Sequence, residues 1–304
     1  MRRKFTEALK EIVLKDEKIV FLTGDLGFNA LEEIREIMGE RFINCGVAEQ
    51  SMVSIAAGLA YKGYKVFCYS IAPFLVFRCL EQIKNDVCLH NLPVFIIGNG
   101  GGYGYGIMGS THHAIEDIAA MSSLPNMQCY IPAFDVDVKN SLEKIIARKK
   151  PAYLRLGLAV KCSEKAQACD YNFRRINYNE KSKLTILTIG PIIRNVIAAI
   201  VEDSINKSID LYNFVEFPFI DFPDCFIESL KRSRRLLIIE EHIKRGGVAE
   251  DVSLKIHENK IDLSQIISLN CKGYPSGRYG DQNFHLNESG LSTKKIIKTI
   301  YSMI

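Results

Sequence analysis

No apolar run in this 304-residue chain approaches the roughly 18 residues needed to cross a membrane. Met1-Arg2-Arg3-Lys4 is basic, but an amphipathic, charged helical pattern follows it, not the apolar centre of a signal peptide. Charge of one sign is also lacking. The 39 basic residues stand against 35 acidic ones, net +4, and both are spread along the chain. With no basic block, a surface for nucleic acid or acidic lipid is not expected. The nine cysteines are odd in number and form no CxxC pair, so they read as small buried hydrophobes in a reducing compartment. There is no P-loop, no G-x-S-x-G nucleophile elbow, no internal repeat and no low-complexity tract. The expectation is a soluble, cytoplasmic protein that binds neither membrane nor nucleic acid.

What is present is length and rhythm. At 304 residues, 47% of them hydrophobic, the chain can form two domains with separate cores. Short apolar strands are expected at 19–23, 42–44, 65–69, 94–97, 128–131 and 153–156. Helices are expected at 3–14, 31–38, 49–61, 74–87, from about 114, and after 135. This alternation predicts an α/β fold, a largely parallel sheet flanked by helices on both faces. Residues 161–183 are polar and lose the rhythm, so they read as a linker between domains 1–160 and 184–304. The second alternation has strands at 184–189, 209–213, 236–240 and 266–269. Its helices lie near 194–201, 224–233, 248–257 and 292–301, giving a smaller domain of the same class.

The chain is organised around Asn44-Cys45-Gly46-Val47-Ala48-Glu49-Gln50. Gly46 lets a short strand turn sharply, and Glu49 falls in the first turn of a helix that is apolar or small on every face, hence expected buried. A first-turn acid can simply favour the helix dipole. In a low-dielectric site it can instead meet a basic ring nitrogen. Phe74 and Phe77 share a helix face, usually a core arrangement, but Arg78 and Glu81 beside them suggest a partly open edge. Seven of the twelve residues 98–109 are glycine. Gly104-Tyr105-Gly106-Ile107-Met108-Gly109 fits G-x-G-x-x-G literally, yet it follows about the fourth strand, not the first. The glycines could instead let the backbone pass close to a ligand, with Tyr103 and Tyr105 lining the opening. His112 and His113, with Glu116 and Asp117 four residues on, lack an evident third ligand, so no metal site is expected there. A structural histidine at a helix end is the simpler role for one of the two. Glu240-Glu241-His242 followed by Gly246-Gly247 reads as a strand end turning tightly into a helix.

Gly46 to Gln50, Phe74 to Arg78 and Gly109-Ser110-Thr111-His112-His113 together resemble, in order and spacing, the pyrimidine-binding half of transketolase-like, thiamine-diphosphate enzymes. The resemblance spans essentially the whole chain and is greatest to the C-terminal subunit of a split transketolase. It implies a pyrimidine-binding α/β domain followed by a transketolase C-terminal-like domain, with thiamine diphosphate as cofactor. In that frame Glu49 hydrogen-bonds the pyrimidine N1′ atom and favours the imino tautomer that deprotonates thiazolium C2. Phe74 and Phe77 stack on the aminopyrimidine, with Phe77 the first choice. His112 faces the reacting carbon and substrate oxygens, where a group that titrates near neutrality is useful. Arg155 falls about where a substrate-phosphate arginine stands, although at a strand end it can equally pair with a carboxylate. His113, Tyr103 and Met108 complete the implied substrate wall.

Enzymes of this family carry Mg²⁺ and the diphosphate on a separate domain marked by Gly-Asp-Gly and a downstream Asn, and no Gly-Asp-Gly occurs here. The implied partner is therefore an N-terminal, diphosphate-binding subunit that holds most of the Mg²⁺ site, in a two-fold symmetric heterotetramer. The implied activity is transfer of a two-carbon ketol unit between sugar-type carbonyl compounds. A β subunit of a 2-oxo acid dehydrogenase shares this domain order, and a non-catalytic subunit could keep the fold. Three departures bear on substrate. Met108 stands where the family usually has an aspartate reading a sugar hydroxyl, Ser110 replaces a proline, and Gly100 falls at or near the position of a family histidine that helps hold the donor phosphate. They imply a modified, branched, deoxygenated or nucleotide-linked sugar.

Overall fold

A computed structural model describes residues 1–27, 30–158, 167–168, 173–203 and 205–304. In chain order the strands are β1 (Ile19–Thr23), β2 (Phe42–Asn44), β3 (Lys65–Ile71), β4 (Val94–Asn99), β5 (Gln128–Tyr130) and β6 (Ala152–Leu156). They continue with β7 (Gln167–Ala168), β8 (Phe173–Asn177), β9 (Leu184–Ile189), β10 (Ile209–Phe214), β11 (Glu216–Phe217), β12 (Arg235–Ile243) and β13 (Gln265–Cys271). Two sheets result, ordered β11-β5-β6-β4-β3-β1-β2 and β13-β12-β9-β10-β8-β7. Pairing is parallel except for β11 on β5, β8 on β10 and β7 on β8.

The central strands are apolar on both faces because helices cover both. On β3, Phe67 and Tyr69 join Phe5, Leu9 and Phe21 beneath helix Arg2–Val13. Val66 and Cys68 point the other way, into the core under helix Glu49–Tyr61 with Met52 and Val53. The period-2 alternation of a strand thus feeds two separate cores. The second sheet is built alike, with Ile186 and Leu237 in one cluster and Leu187 and Ile238 in another.

Four expectations change. The supposed linker contains β8, which pairs antiparallel with β10 and buries Phe173 against Phe214 and Phe226. Its charged pattern misleads because Arg174 reaches across to Asp137 (2.6 Å) and lies over the Phe134 ring. The rest of that stretch, 161–166 and 169–172, lies outside the described residues. The helix expected over 74–87 is broken into Ala72–Val76, a turn at 77–79, Leu80–Gln82 and a π-helical turn, Ile83–Cys88. The helix expected from about 114 starts at Asp117, and Gln282–Glu288 is an additional helix. Helix Glu49–Tyr61 buries one face only. Ser51, Ser54 and Gly58 are exposed and Ile55 is 47% exposed. No helix among the described residues is long and apolar enough to cross a membrane.

Candidate active site

The carboxyl ends of β1, β2 and β3 and the loop after β4 converge at one edge of the first sheet, the edge where open α/β sheets bind ligands. Asn44 ends β2, and its side chain ties the Asp25 and Gly46 amides (3.1 and 3.0 Å). Gly46 then takes φ +69°, a left-handed conformation that a side chain would strain, and the helix begins at Glu49. Glu49 is 1% exposed. It stands in the first turn of the helix, and its side-chain bonds among the described residues go to Ser70 and Arg78, not to the helix end. Its Oε2 pairs with Arg78 Nη1 at 2.5 Å, and Ser70 Oγ donates to Oε1 at 3.3 Å. Gly24 leaves the room, since a Cβ there would sit 3.3 Å from Glu49 Cγ.

Arg78 stands in the turn that breaks the expected helix. Gln50 Nε2 donates to its carbonyl (3.1 Å), and its guanidinium lies 4.7 Å over the Phe74 ring. Phe74 in turn meets the His112 ring edge-on at 5.1 Å. His112 Nδ1 is hydrogen-bonded to Thr111 Oγ1 (2.9 Å), and Tyr105 flanks the ring at 5.8 Å. Glu49, Arg78, Phe74 and His112 therefore form one continuous line. Phe77, 42% exposed, is beside this line and not in it, lining an open hollow with Gln50, Arg78, Leu80, Glu81 and Lys84. Met108 is 55% exposed. Of the two phenylalanines, Phe74 is the one that meets His112 and, through Arg78, connects to Glu49. Arg78 and Ser70 were not anticipated. A lone arginine after an aromatic pair carries no signal of its own until the turn at 77–79 is known.

Three other expected site residues lie elsewhere. Arg155 is buried, its Nε 2.9 Å from Asp117 Oδ2 and its Nη2 donating to the Ala114 and Glu241 carbonyls (2.6 and 3.0 Å). Of the two readings of Arg155, the structure gives the carboxylate partner. Tyr103 does not line an opening. It is fully buried, its hydroxyl donating to Gly273 O (2.9 Å) and its ring stacked on His285. His113 is buried with both ring nitrogens engaged, Nε2 to Gly106 O (2.8 Å) and Nδ1 to the Tyr274 hydroxyl (2.9 Å). Burial holds its pKa below the usual histidine value.

The glycines after β4 also serve the chain itself. A Cβ on Gly101 would lie 2.4 Å from Arg155 Nε, one on Gly102 2.4 Å from Glu241 Cδ, and one on Gly109 3.2 Å from the Tyr279 ring. Gly109 is followed by turns, and the next helix starts only at Asp117, so the dinucleotide pattern lacks its helix. The segment 272–281 of the second half, which supplies Tyr274 and Tyr279, was not foreseen. Tyr279 donates to Ser110 Oγ at 3.1 Å. Among the described residues no cluster of three or more His, Cys, Asp or Glu side chains could hold a metal.

Comparison with known proteins gives a consistent result. Residues 1–157 match the family described as transketolase, pyrimidine binding domain. The chain is 28% identical to an apulose-4-phosphate transketolase subunit of Phocaeicola vulgatus, covering 100% of this chain and 97% of that protein. It is 31% identical to the "Putative transketolase C-terminal section" of Methanocaldococcus jannaschii, covering 99% and 95%. Among solved structures, "Split gene transketolase, inactive beta4 tetramer" superposes with a TM-score of 0.81 at 23% identity, covering 99% of this chain and 97% of that one. This chain belongs to the transketolase family, whose pyrimidine-binding domain it carries in its first half.

Proposed function

We propose that the chain is the pyrimidine-binding subunit of a split, thiamine-diphosphate-dependent transketolase that transfers a two-carbon ketol unit between sugar-type carbonyl compounds. The observation that carries this reading is the Glu49 carboxylate, 1% exposed and joined through the Arg78 guanidinium to the Phe74 ring, which meets His112. A buried carboxylate needs a hydrogen-bonding partner, and an aromatic wall next to it suits a flat heteroaromatic ring. When bound, thiamine diphosphate supplies an electron sink at its thiazolium C2. Glu49 would hold a proton against the pyrimidine N1′ atom, and Phe74 would fix the plane of the ring. His112, half-buried at the rim, would exchange a proton with substrate oxygens.

The metal and diphosphate would be held by a second polypeptide. This chain has no Gly-Asp-Gly, and its described residues offer no metal cluster. Two of the similar proteins, one named as a transketolase subunit and the other as a split-gene beta4 tetramer, agree with a separate partner. An N-terminal transketolase subunit would complete the site, with Mg²⁺ held mainly there.

The test is hydrogen–deuterium exchange at thiazolium C2 in the complex reconstituted from both polypeptides. Glu49→Gln should slow exchange by about 10²–10⁴, the usual contribution of a general acid–base. Exchange at the wild-type rate removes Glu49 from the chemistry. Calorimetry on the isolated chain checks the partner, because tight Mg²⁺-dependent cofactor binding without it would show the site to be complete in one polypeptide.

A further inference from the structure

Glu49 already has a partner, and that partner copies the contacts a pyrimidine ring would make. The Arg78 guanidinium is planar, donates to Glu49 Oε2 at 2.5 Å and lies 4.7 Å over the Phe74 ring. A ring bonded to Glu49 and stacked on Phe74 would have to take the place that the guanidinium fills. We propose that Arg78 is a displaceable stand-in for the cofactor's pyrimidine, and that it leaves Glu49 for Glu81 when the ring seats. This inference rests on the reading of Glu49 and Phe74 as the pyrimidine site.

The physical need for a stand-in comes from burial. A carboxylate at 1% exposure without a partner is costly, because an ion removed from water loses its hydration. Arginine is suited to the place. It stays charged, donates in a plane and stacks on aromatic faces, and its hydration is weaker than that of lysine. Glu49 and Arg78 differ sharply in access. The carboxylate is sealed, whereas the Arg78 side chain is 43% exposed and can withdraw without opening the core.

The exit is also built. Arg78 lies in the turn at 77–79 between two short helical pieces, so no helical ladder restrains its side chain. Gln50 Nε2 pins the Arg78 carbonyl, which keeps the backbone in place while the side chain moves. Glu81, three residues on, is exposed, makes no hydrogen bond or ion pair among the described residues, and lines the same open hollow as Arg78, Gln50 and Phe77. Arg78 thus holds one buried carboxylate and shares an open hollow with a second, in solvent. Only the buried one is needed by the ring. The apparent cofactor affinity is then lowered by the fraction of subunits in which Arg78 is still in place.

The test is calorimetric titration of thiamine diphosphate, with Mg²⁺, into the reconstituted complex of both polypeptides. Arg78→Met keeps the length and apolar stem but neither charge nor donors, and should tighten binding by about tenfold or more, as when a competent state of a tenth or less becomes dominant. Glu81→Gln keeps the stand-in and removes its landing place, and should weaken binding about threefold or more by the same population argument. Because Arg78→Met leaves Glu49 without its cation and can impair folding, the Glu81→Gln result stands as an independent check. Unchanged or weaker binding by Arg78→Met, or unchanged binding by Glu81→Gln, overturns the proposal. Phe74→Ala separates the two levels. If it leaves affinity unchanged, the pyrimidine site itself is misplaced. If it weakens affinity while Arg78→Met does not tighten it, only the stand-in is refuted.

Discussion

Glu241 Oε1 accepts a hydrogen bond from the Tyr103 main-chain amide at 2.9 Å, across 138 residues of sequence. The same oxygen accepts from Gln282 Nε2 at 2.8 Å. Its neighbours on β12 point to the other face. Glu240 caps helix Val248–Glu258 through the Val248 and Ala249 amides (3.0 and 3.2 Å), and burial pushes its carboxyl up to about 7. His242 Nε2 accepts from the Ala119 amide (3.2 Å), inside helix Asp117–Ser122 of the first half. One strand end therefore binds the two sheets together. The glycine-rich loop is shaped by that joint, and its glycines mark where the second half presses on the first.

Gly102→Ala should accordingly destabilise the protein. Gly102 has φ +64°, and a Cβ there would lie 2.4 Å from Glu241 Cδ. Backbone strain and overpacking of this kind each cost about 1–3 kcal/mol. A lowered urea midpoint, with C2 exchange in the assembled enzyme little changed, is the expected pair of results. A loop that cradled ligand would lose affinity instead.

Arg155→Met should act in the same way. Removing one member of a buried ion pair costs about 3–5 kcal/mol, because Asp117 is left without its cation. Tyr153, whose hydroxyl donates to Asp117 Oδ2 at 2.6 Å, cannot replace a cation. The urea midpoint of the purified chain measures this. A raised KM for a phosphorylated sugar with unchanged stability would restore Arg155 to the substrate.

Much of this was legible in the sequence, for identifiable reasons. Leu184–Ile189 and Asp224–Ser233 are found where their pattern places them, the strand because it is buried throughout and stops at Gly190-Pro191, the helix because it starts after Pro223 and buries Phe226 and Leu230 on one face. Glu49 was legible because Gly46 sets a sharp turn and an apolar helix follows. β8 was not, since Arg174 and Arg175 mask a strand, next to the sheet edge, whose burial rests largely on Phe173. Tyr103, His113 and Arg155 were legible as unusual residues but not as residues of a joint. Their partners in the second half, Glu241 for Tyr103 and Arg155 and Tyr274 for His113, are fixed only by the packing of the two sheets, and no spacing along the chain encodes that packing.

Three histidines in or beside the joint predict a response to acid. Burial is the largest cause holding the pKa values of His113, His242 and His285 below the ordinary value of 6.5. A histidine with a depressed folded-state pKa contributes stability above its unfolded value and loses it as pH falls through the folded one. The protein should therefore lose stability progressively below about pH 6.5. For His113, charging would place a proton on Nδ1 where the Tyr274 hydroxyl now donates. His113→Gln should flatten part of that decline in urea midpoints measured between pH 5 and 8. A variant with the wild-type slope would show that His113 does not carry the linkage.

The last prediction concerns the sugar. Met108 is exposed on the 3₁₀ turn that leads into Gly109, Ser110 and His112, and Ser110 is held by Tyr279. A thioether is a poor hydrogen-bond acceptor, so a substrate hydroxyl that desolvates against Met108 loses its partner at a cost of about 1–3 kcal/mol. With Arg155 committed to Asp117, the nearest expected phosphate contact on this chain is also gone. Ordinary pentose- and hexose-phosphate ketols should be poor substrates of the reconstituted enzyme, and a modified or branched sugar should be preferred. Met108→Asp should raise kcat/KM for xylulose 5-phosphate by about tenfold, the worth of one restored hydrogen bond. If the unmodified enzyme already turns over xylulose 5-phosphate with ribose 5-phosphate at about 10⁴ M⁻¹s⁻¹ or better, the ordinary range for enzymes on their own substrates, the specialised-sugar reading is wrong.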